Sequence, residues 1–70
     1  MAEPATRLIP RLRAMKNLLP LNDVAEMIGV HRLTLHGWVR KGTIPHFRLA
    51  GRIKFEPQAV ADWLEKRHVG

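Results

Sequence analysis

The 70-residue chain has no cysteine and no tyrosine, and serine is missing as well. The first absence excludes disulfide staples, thiolate metal sites and thiol nucleophiles together. The other two remove the hydroxyl groups that most often break and rejoin DNA strands or acyl bonds. Acidic residues are scarce: 6 Asp plus Glu stand against 12 Lys plus Arg, for a net charge of +6. That imbalance points to a polyanionic partner, nucleic acid first and an anionic membrane surface second. No apolar run approaches the ~18 residues that span a bilayer. The opening Met1-Ala2-Glu3-Pro4 lacks the basic-then-apolar order of a secretory signal, so the cytoplasm is the expected compartment. What is present is enough for a fold. A hydrophobic content of 46% belongs to a folded domain rather than a disordered basic tail. At this length there is room for one small domain with a thin core, in which only ~60% of the unfolded surface is buried.

The charge is unevenly placed. Residues 1–17 carry Arg7, Arg11, Arg13 and Lys16 against Glu3. Residues 18–55 carry Arg32, Arg40, Lys41, Arg48, Arg52 and Lys54 against Asp23 and Glu26. Only residues 56–70 are net acidic, with Glu56, Asp62 and Glu65 against Lys66 and Arg67. The binding surface is therefore expected in the first and middle parts, with the C-terminal segment as support. Pro4 and Pro10 confine any N-terminal helix to the piece after Pro10. Leu8, Leu12 and Met15 sit at helical spacing, so a packed helical turn and a frayed basic arm stand level here.

Asn22 to Ile28 reads as a short helix with Val24, Met27 and Ile28 on one face and Asp23 and Glu26 toward its positive end. Gly29 stops it. After a Gly29-Val30-His31 turn, a second helix begins near Arg32, with Leu35, Trp38 and Val39 as its apolar stripe. Its other face shows Arg32, Leu33, His36, Gly37 and Arg40, and Gly42 ends it. Two short helices so joined form a helix-turn-helix. Thr43-Ile44-Pro45 leads into a hairpin, or wing. A three-residue loop ending at Gly51 would set Phe47 opposite Ile53 on an inner face, leaving Arg48, Arg52 and Lys54 outside. It would also set Arg48 opposite Arg52, a repulsion that an anion between them would relieve. Glu56-Pro57 starts a last helix, with proline at its first position and Val60, Trp63 and Leu64 buried. The two tryptophans are expected to supply most of the core.

The run Leu21-Asn22-Asp23-Val24-Ala25-Glu26-Met27-Ile28-Gly29-Val30, then Thr34-Leu35-His36-Gly37-Trp38-Val39-Arg40-Lys41-Gly42-Thr43-Ile44-Pro45, resembles the excisionase-type winged helix-turn-helix family, related to MerR-type regulators. Gly51-Arg52-Ile53-Lys54-Phe55, followed by a helix containing Trp63-Leu64, extends the likeness from Leu19 to Arg67. The resemblance implies a mainly α fold with a small β-hairpin, in the order α-α-β-β-α. It also implies DNA binding, with the second helix in the major groove and the wing on the adjacent minor groove or backbone. Small stand-alone members include phage excisionases, recombination directionality factors that bend attachment-site DNA and direct an integrase; others regulate transcription. Three positions depart from the family pattern. Pro20 and His31 stand where Ser or Thr caps are common, and Gly37 interrupts the recognition helix.

The expected organisation is a basic N-terminal arm over 1–17, partly helical at most, and a winged helix-turn-helix domain over 18–70. Expected DNA contacts are Arg32, Leu33, His36, Gly37, Arg40 and Lys41 on the recognition helix and Arg48, Arg52 and Lys54 on the wing. Arg7, Arg11, Arg13 and Lys16 form a candidate minor-groove arm, the alternative being a solvated tail. His31, His36, His46 and His68 lack the spacing and the cysteines of a structural zinc site. Asp23 with Glu26 and Asp62 with Glu65 suit salt bridges or the helix dipole better than acid–base chemistry. The expected protein is non-catalytic, with no cofactor, metal, membrane or small-molecule ligand. Its expected partners are double-stranded DNA, a separate integrase, and further copies of itself bound cooperatively in a bacterial cytoplasm or nucleoid. The rivals are a small MerR-like transcription regulator and a protein-interaction adaptor that does not touch DNA.

Overall fold

The computed structural model describes residues 5–67; Met1, Ala2, Glu3, Pro4, His68, Val69 and Gly70 lie outside the described residues. The elements run α1 (Ala5–Ala14), β1 (Leu19–Pro20), α2 (Leu21–Ile28), α3 (Arg32–Arg40), β2 (Phe47–Leu49), β3 (Arg52–Phe55) and α4 (Pro57–Arg67). The fold is mostly helical, with a small antiparallel sheet, and it has the helix-turn-helix and hairpin expected of a winged domain.

Each helix gives the core a pair of side chains one turn or less apart. Leu8 and Leu12 come from α1, Val24 and Ala25 from α2, Leu35 and Val39 from α3, and Val60 and Ala61 from α4. Ile44 and Phe55 complete it, each almost wholly buried. Trp38 and Trp63, expected to be the bulk of the core, are only partly buried and pack against its edge. Their rings meet at a tilt, 5.8 Å apart between centroids. The Trp63 Nε1–H donates to the Thr43 carbonyl at 2.7 Å, the kind of partner an indole N–H finds when its ring packs at a core edge. That bond ties α4 to the exit of α3. Arg67 stacks its guanidinium 4.4 Å from the Trp63 ring centroid.

Three helix boundaries follow from the glycines and the proline. Gly29 takes φ 89°, and both its N–H and that of Val30 reach the Ala25 carbonyl. At the end of α3 the Gly42 N–H donates to Val39 and the Thr43 N–H to Trp38, the paired closure of a Schellman motif. Pro57 is the first residue of α4, where its missing N–H costs nothing.

The N-terminal segment departs from expectation. Helix α1 begins at Ala5 and runs through Pro10, instead of being confined to the piece beyond it. Pro10, the sixth of the ten residues of α1, forfeits one backbone bond in the helix interior, and the burial of Leu8 and Leu12 against the rest of the core offsets that loss. Across the surface, Arg13 bridges to Asp62 at 2.8 Å and to Glu65, two acids one turn apart on α4. The described part of the segment is thus a packed helix and not a frayed arm.

The sheet also differs. β3 is central, flanked by β1 and β2, and β1 was not foreseen because two residues carrying a proline give no alternation to read. Pro20 pairs opposite Lys54 on an edge strand, the position that tolerates a missing donor. In the hairpin, Phe47 faces Lys54, Arg48 faces Ile53 and Leu49 faces Arg52. The connection is therefore the two-residue loop Ala50-Gly51, with φ 52° and 78°, and the three-residue loop is corrected. Both central residues are left-handed, which matches the strand twist. The expected Arg48–Arg52 pair does not exist; the two lie on opposite faces of the ribbon. The two-residue loop shifts the pairing by one position, so Phe47 shares the outer face with Lys54 while Ile53 and Phe55 pack toward the core.

Leu12→Ala is expected to lower stability by about 2–5 kcal/mol in urea melts, whereas a frayed arm would lose under about 0.5 kcal/mol. Ala50→Gly is expected to raise stability by about 0.5–1 kcal/mol, since it relieves a left-handed alanine. Had Ala50 been right-handed, as in the three-residue loop, the same change would lower the melting temperature.

Candidate nucleic-acid interface

The helix-turn-helix places α3 so that Leu35 and Val39 face inward. A helix buried along that stripe must present the opposite stripe to solvent. Leu33, His36 and Arg40 are exposed away from that stripe, Arg32 is exposed in the first turn, three residues before the buried Leu35, and Lys41 is exposed at the C-cap. Gly37 is half-exposed between them. The structure thus brings the expected recognition set onto one helix surface. From Arg32 to Phe55 the chain holds six cations and no acidic residue, so nothing within that segment neutralises the surface.

His31, a departure from the family pattern, turns out to cap α3. The Leu33 N–H donates to the His31 Nδ1 at 3.1 Å, with His31 in extended backbone conformation at φ −69° and ψ 146°. Only an unprotonated ring nitrogen can accept that bond. By contrast Pro20 precedes α2 without any side-chain cap. The uncapped first turn of α2 shares a surface depression, lined by Pro20, Leu21, Asn22, Arg52, Ile53 and Lys54, with two wing cations. Free N–H groups, the positive end of the helix dipole and two basic side chains together suit a phosphate oxygen.

The wing residues divide by face. Arg52 and Lys54 share the outer face with Phe47 and Leu49, of which Phe47 is 38% and Leu49 52% exposed. Arg48 is exposed on the other side. Phe47 and Leu49 were missed as surface residues because the loop was read as three residues long. The signal was a residue-Gly pair between two short strands, weakened by an alanine where Asn or Asp is usual.

Of the N-terminal cations, Arg13 is drawn to α4, its guanidinium pKa raised by the hydrogen bonds it donates to Glu65 and then Asp62. Arg7, Arg11 and Lys16 lie on the surface. His46 Nδ1–H donates to the Ile44 carbonyl at 2.9 Å, which holds it against the backbone. Among the described residues no group of three or more His, Asp or Glu side chains could hold a metal ion, and no helix is long and apolar enough to cross a membrane.

A family model for the helix-turn-helix domain matches residues 18–68. The chain belongs to that family, one that includes excisionase-like DNA-binding proteins and is typically non-enzymatic. The match begins just after α1. Neither a curated protein nor a solved structure gives a significant match.

His31→Ala is expected to destabilise the protein by about 0.5–2 kcal/mol, the range for a lost N-cap, and His31→Ser to recover most of it. Equal urea midpoints for the two variants would show that the imidazole bond carries no stability.

Proposed function

We propose that this protein binds double-stranded DNA without catalysing a reaction, with α3 in the major groove and the β2–β3 hairpin against the neighbouring backbone or minor groove. The observation that carries the reading is the exposed, acid-free surface of α3 within a helix-turn-helix. Arg32 and Arg40 are placed to contact guanine edges or phosphates, with His36 and Lys41 beside them. Arg52 and Lys54, beside the uncapped start of α2, hold a phosphate; Arg48 contributes from the other face of the hairpin. Arg7, Arg11 and Lys16 add to the positive surface from α1.

The finer role we assign is that of an excisionase-like accessory factor for site-specific recombination in a bacterial cytoplasm or nucleoid. The motif likeness from Leu19 to Arg67 supports it. So does the absence of serine and tyrosine, which leaves strand chemistry to a separate integrase. One domain of this size reads only a few base pairs at ~1–3 kcal/mol each, so several copies bind neighbouring sites cooperatively.

Duplex affinity measured against salt is expected to fall with a log–log slope of ~0.9 per phosphate contact. Arg52→Ala should lower that slope by about 1 and weaken specific and random duplex alike. Arg32→Ala should weaken specific duplex more than random. Arg48→Ala and Arg52→Ala should act additively, as expected of residues on opposite faces. A slope near zero overturns DNA binding in favour of a protein adaptor. The recombination role is checked in cells carrying the integrase of the same genome and a reporter flanked by its attachment sites. Excision that rises with this protein supports the role; altered transcription without excision assigns a regulator instead.

A further inference from the structure

Two features of α3 are unfavourable to the free protein and find no explanation inside it. Leu33 is 69% exposed, more than any of the other exposed large apolar side chains among the described residues. It sits in the first turn, its backbone fixed by the His31 cap. Four residues on, in the helix interior, stands Gly37, although glycine is second only to proline in disfavouring a helix. Its backbone is not left-handed, unlike that of Gly29, Gly42 and Gly51. A Cβ added to it would meet nothing within 4 Å. Neither conformation nor internal packing therefore calls for glycine at this position.

Leu33, Gly37 and Arg40 follow at spacings of four and three, so they form one stripe. That stripe lies opposite the buried Leu35 and Val39, along the line where α3 projects furthest from the core. A partner lying on it meets an apolar side chain, a bare stretch of backbone and a cation in order. In the major groove the apolar handle on a base edge is the thymine C5-methyl group, and guanine accepts from arginine.

Resting on the DNA-binding reading, we infer that this stripe is a thymine reader: Leu33 packs on a thymine methyl, and Gly37 lets the helix backbone close on the base edges. Leu33 is thus a specificity-determining residue, and Gly37 sets the docking depth that lets Leu33 and Arg40 reach their bases together. The glycine lowers the stability of the free protein and strengthens the complex.

The test begins with selection of a preferred site from a random-sequence duplex library by the full chain. The selected duplex and versions with deoxyuridine replacing single thymidines are then titrated against the wild type, Leu33→Ala and Gly37→Ala. Each protein is also melted thermally without DNA. The wild type should bind one deoxyuridine duplex about fourfold more weakly, the worth of one buried methyl group. Leu33→Ala should bind the thymidine and deoxyuridine versions equally. Gly37→Ala should melt about 4–8 °C higher yet bind the selected site at least tenfold more weakly. Wild-type indifference to every deoxyuridine overturns the methyl contact. A Gly37→Ala protein that melts lower, or binds the selected site undiminished, overturns the close approach. Failure to enrich any duplex sinks the DNA-binding reading itself, a result distinct from either.

Discussion

Phe55 is the constraint on which the rest of this small fold depends. It is the largest of the fully buried side chains, and it lies on β3, the strand paired on both sides. Its partner across the ladder is Leu19, which fixes where the chain enters α2. The next residue, Glu56, accepts the Val60 N–H and so begins α4. One aromatic ring thereby sets the base of the hairpin, the start of the last helix and the approach to the helix-turn-helix. In a domain this size there is little redundancy, since each helix adds only two or so fully buried residues. A core so thin cannot cover α3 on more than one side. That is why a whole helix face remains in solvent.

Much of this was legible because the signals were local. Gly29 and Gly42 stop helices whose carbonyls they then satisfy, Pro57 opens α4, and the apolar stripe Leu35–Val39 marks which side of α3 turns inward. The misread parts were those decided by distant partners or by loop geometry. The extent of α1 turned on whether α4 would cover Leu8 and Leu12, which outweighs the penalty carried by Pro10. The hairpin register turned on loop length: alternation alone made Phe47 look like a core residue, but the two-residue Ala50-Gly51 turn pairs it with Lys54 on the outer face. The exposed basic face of α3 was readable as a set of residues on one helix; that His31 caps the helix was not, because imidazole is a less common cap than a hydroxyl or carboxamide.

Charge placement links stability to function. Asp62 and Glu65 on α4 are bound to Arg13 of α1, so acid is used where two helices need fastening. None stands between Arg32 and Phe55. The bridge itself is exposed, and exposed ion pairs contribute little; the buried leucines beside it hold α1 in place. Its larger consequence is electrostatic. Negative charge falls on Glu3, on Asp23 and Glu26 of α2, on Glu56 and on Asp62 and Glu65 of α4, while α3 and the hairpin keep a field of one sign. Such a field raises encounter rates with a polyanion and is screened by salt.

Sequences that specify a fold tend to satisfy local rules everywhere except where function intervenes. The exceptions here are few and they cluster. An interior glycine and a solvent-facing leucine lie on α3, an uncapped helix start lies at α2, and a left-handed alanine with exposed Phe47 and Leu49 lies on the hairpin. In α1 Pro10 breaks the rule and burial accounts for it, and Leu18, 40% exposed, lies in the link after α1. The unfavourable choices thus gather on the elements whose faces are open, while the elements that close the core obey the rules. Random tolerance would scatter such choices over all four helices. Their concentration on α2, α3 and the hairpin fits surfaces completed from outside the chain, and the positive charge of α3 and the hairpin suits a negatively charged partner.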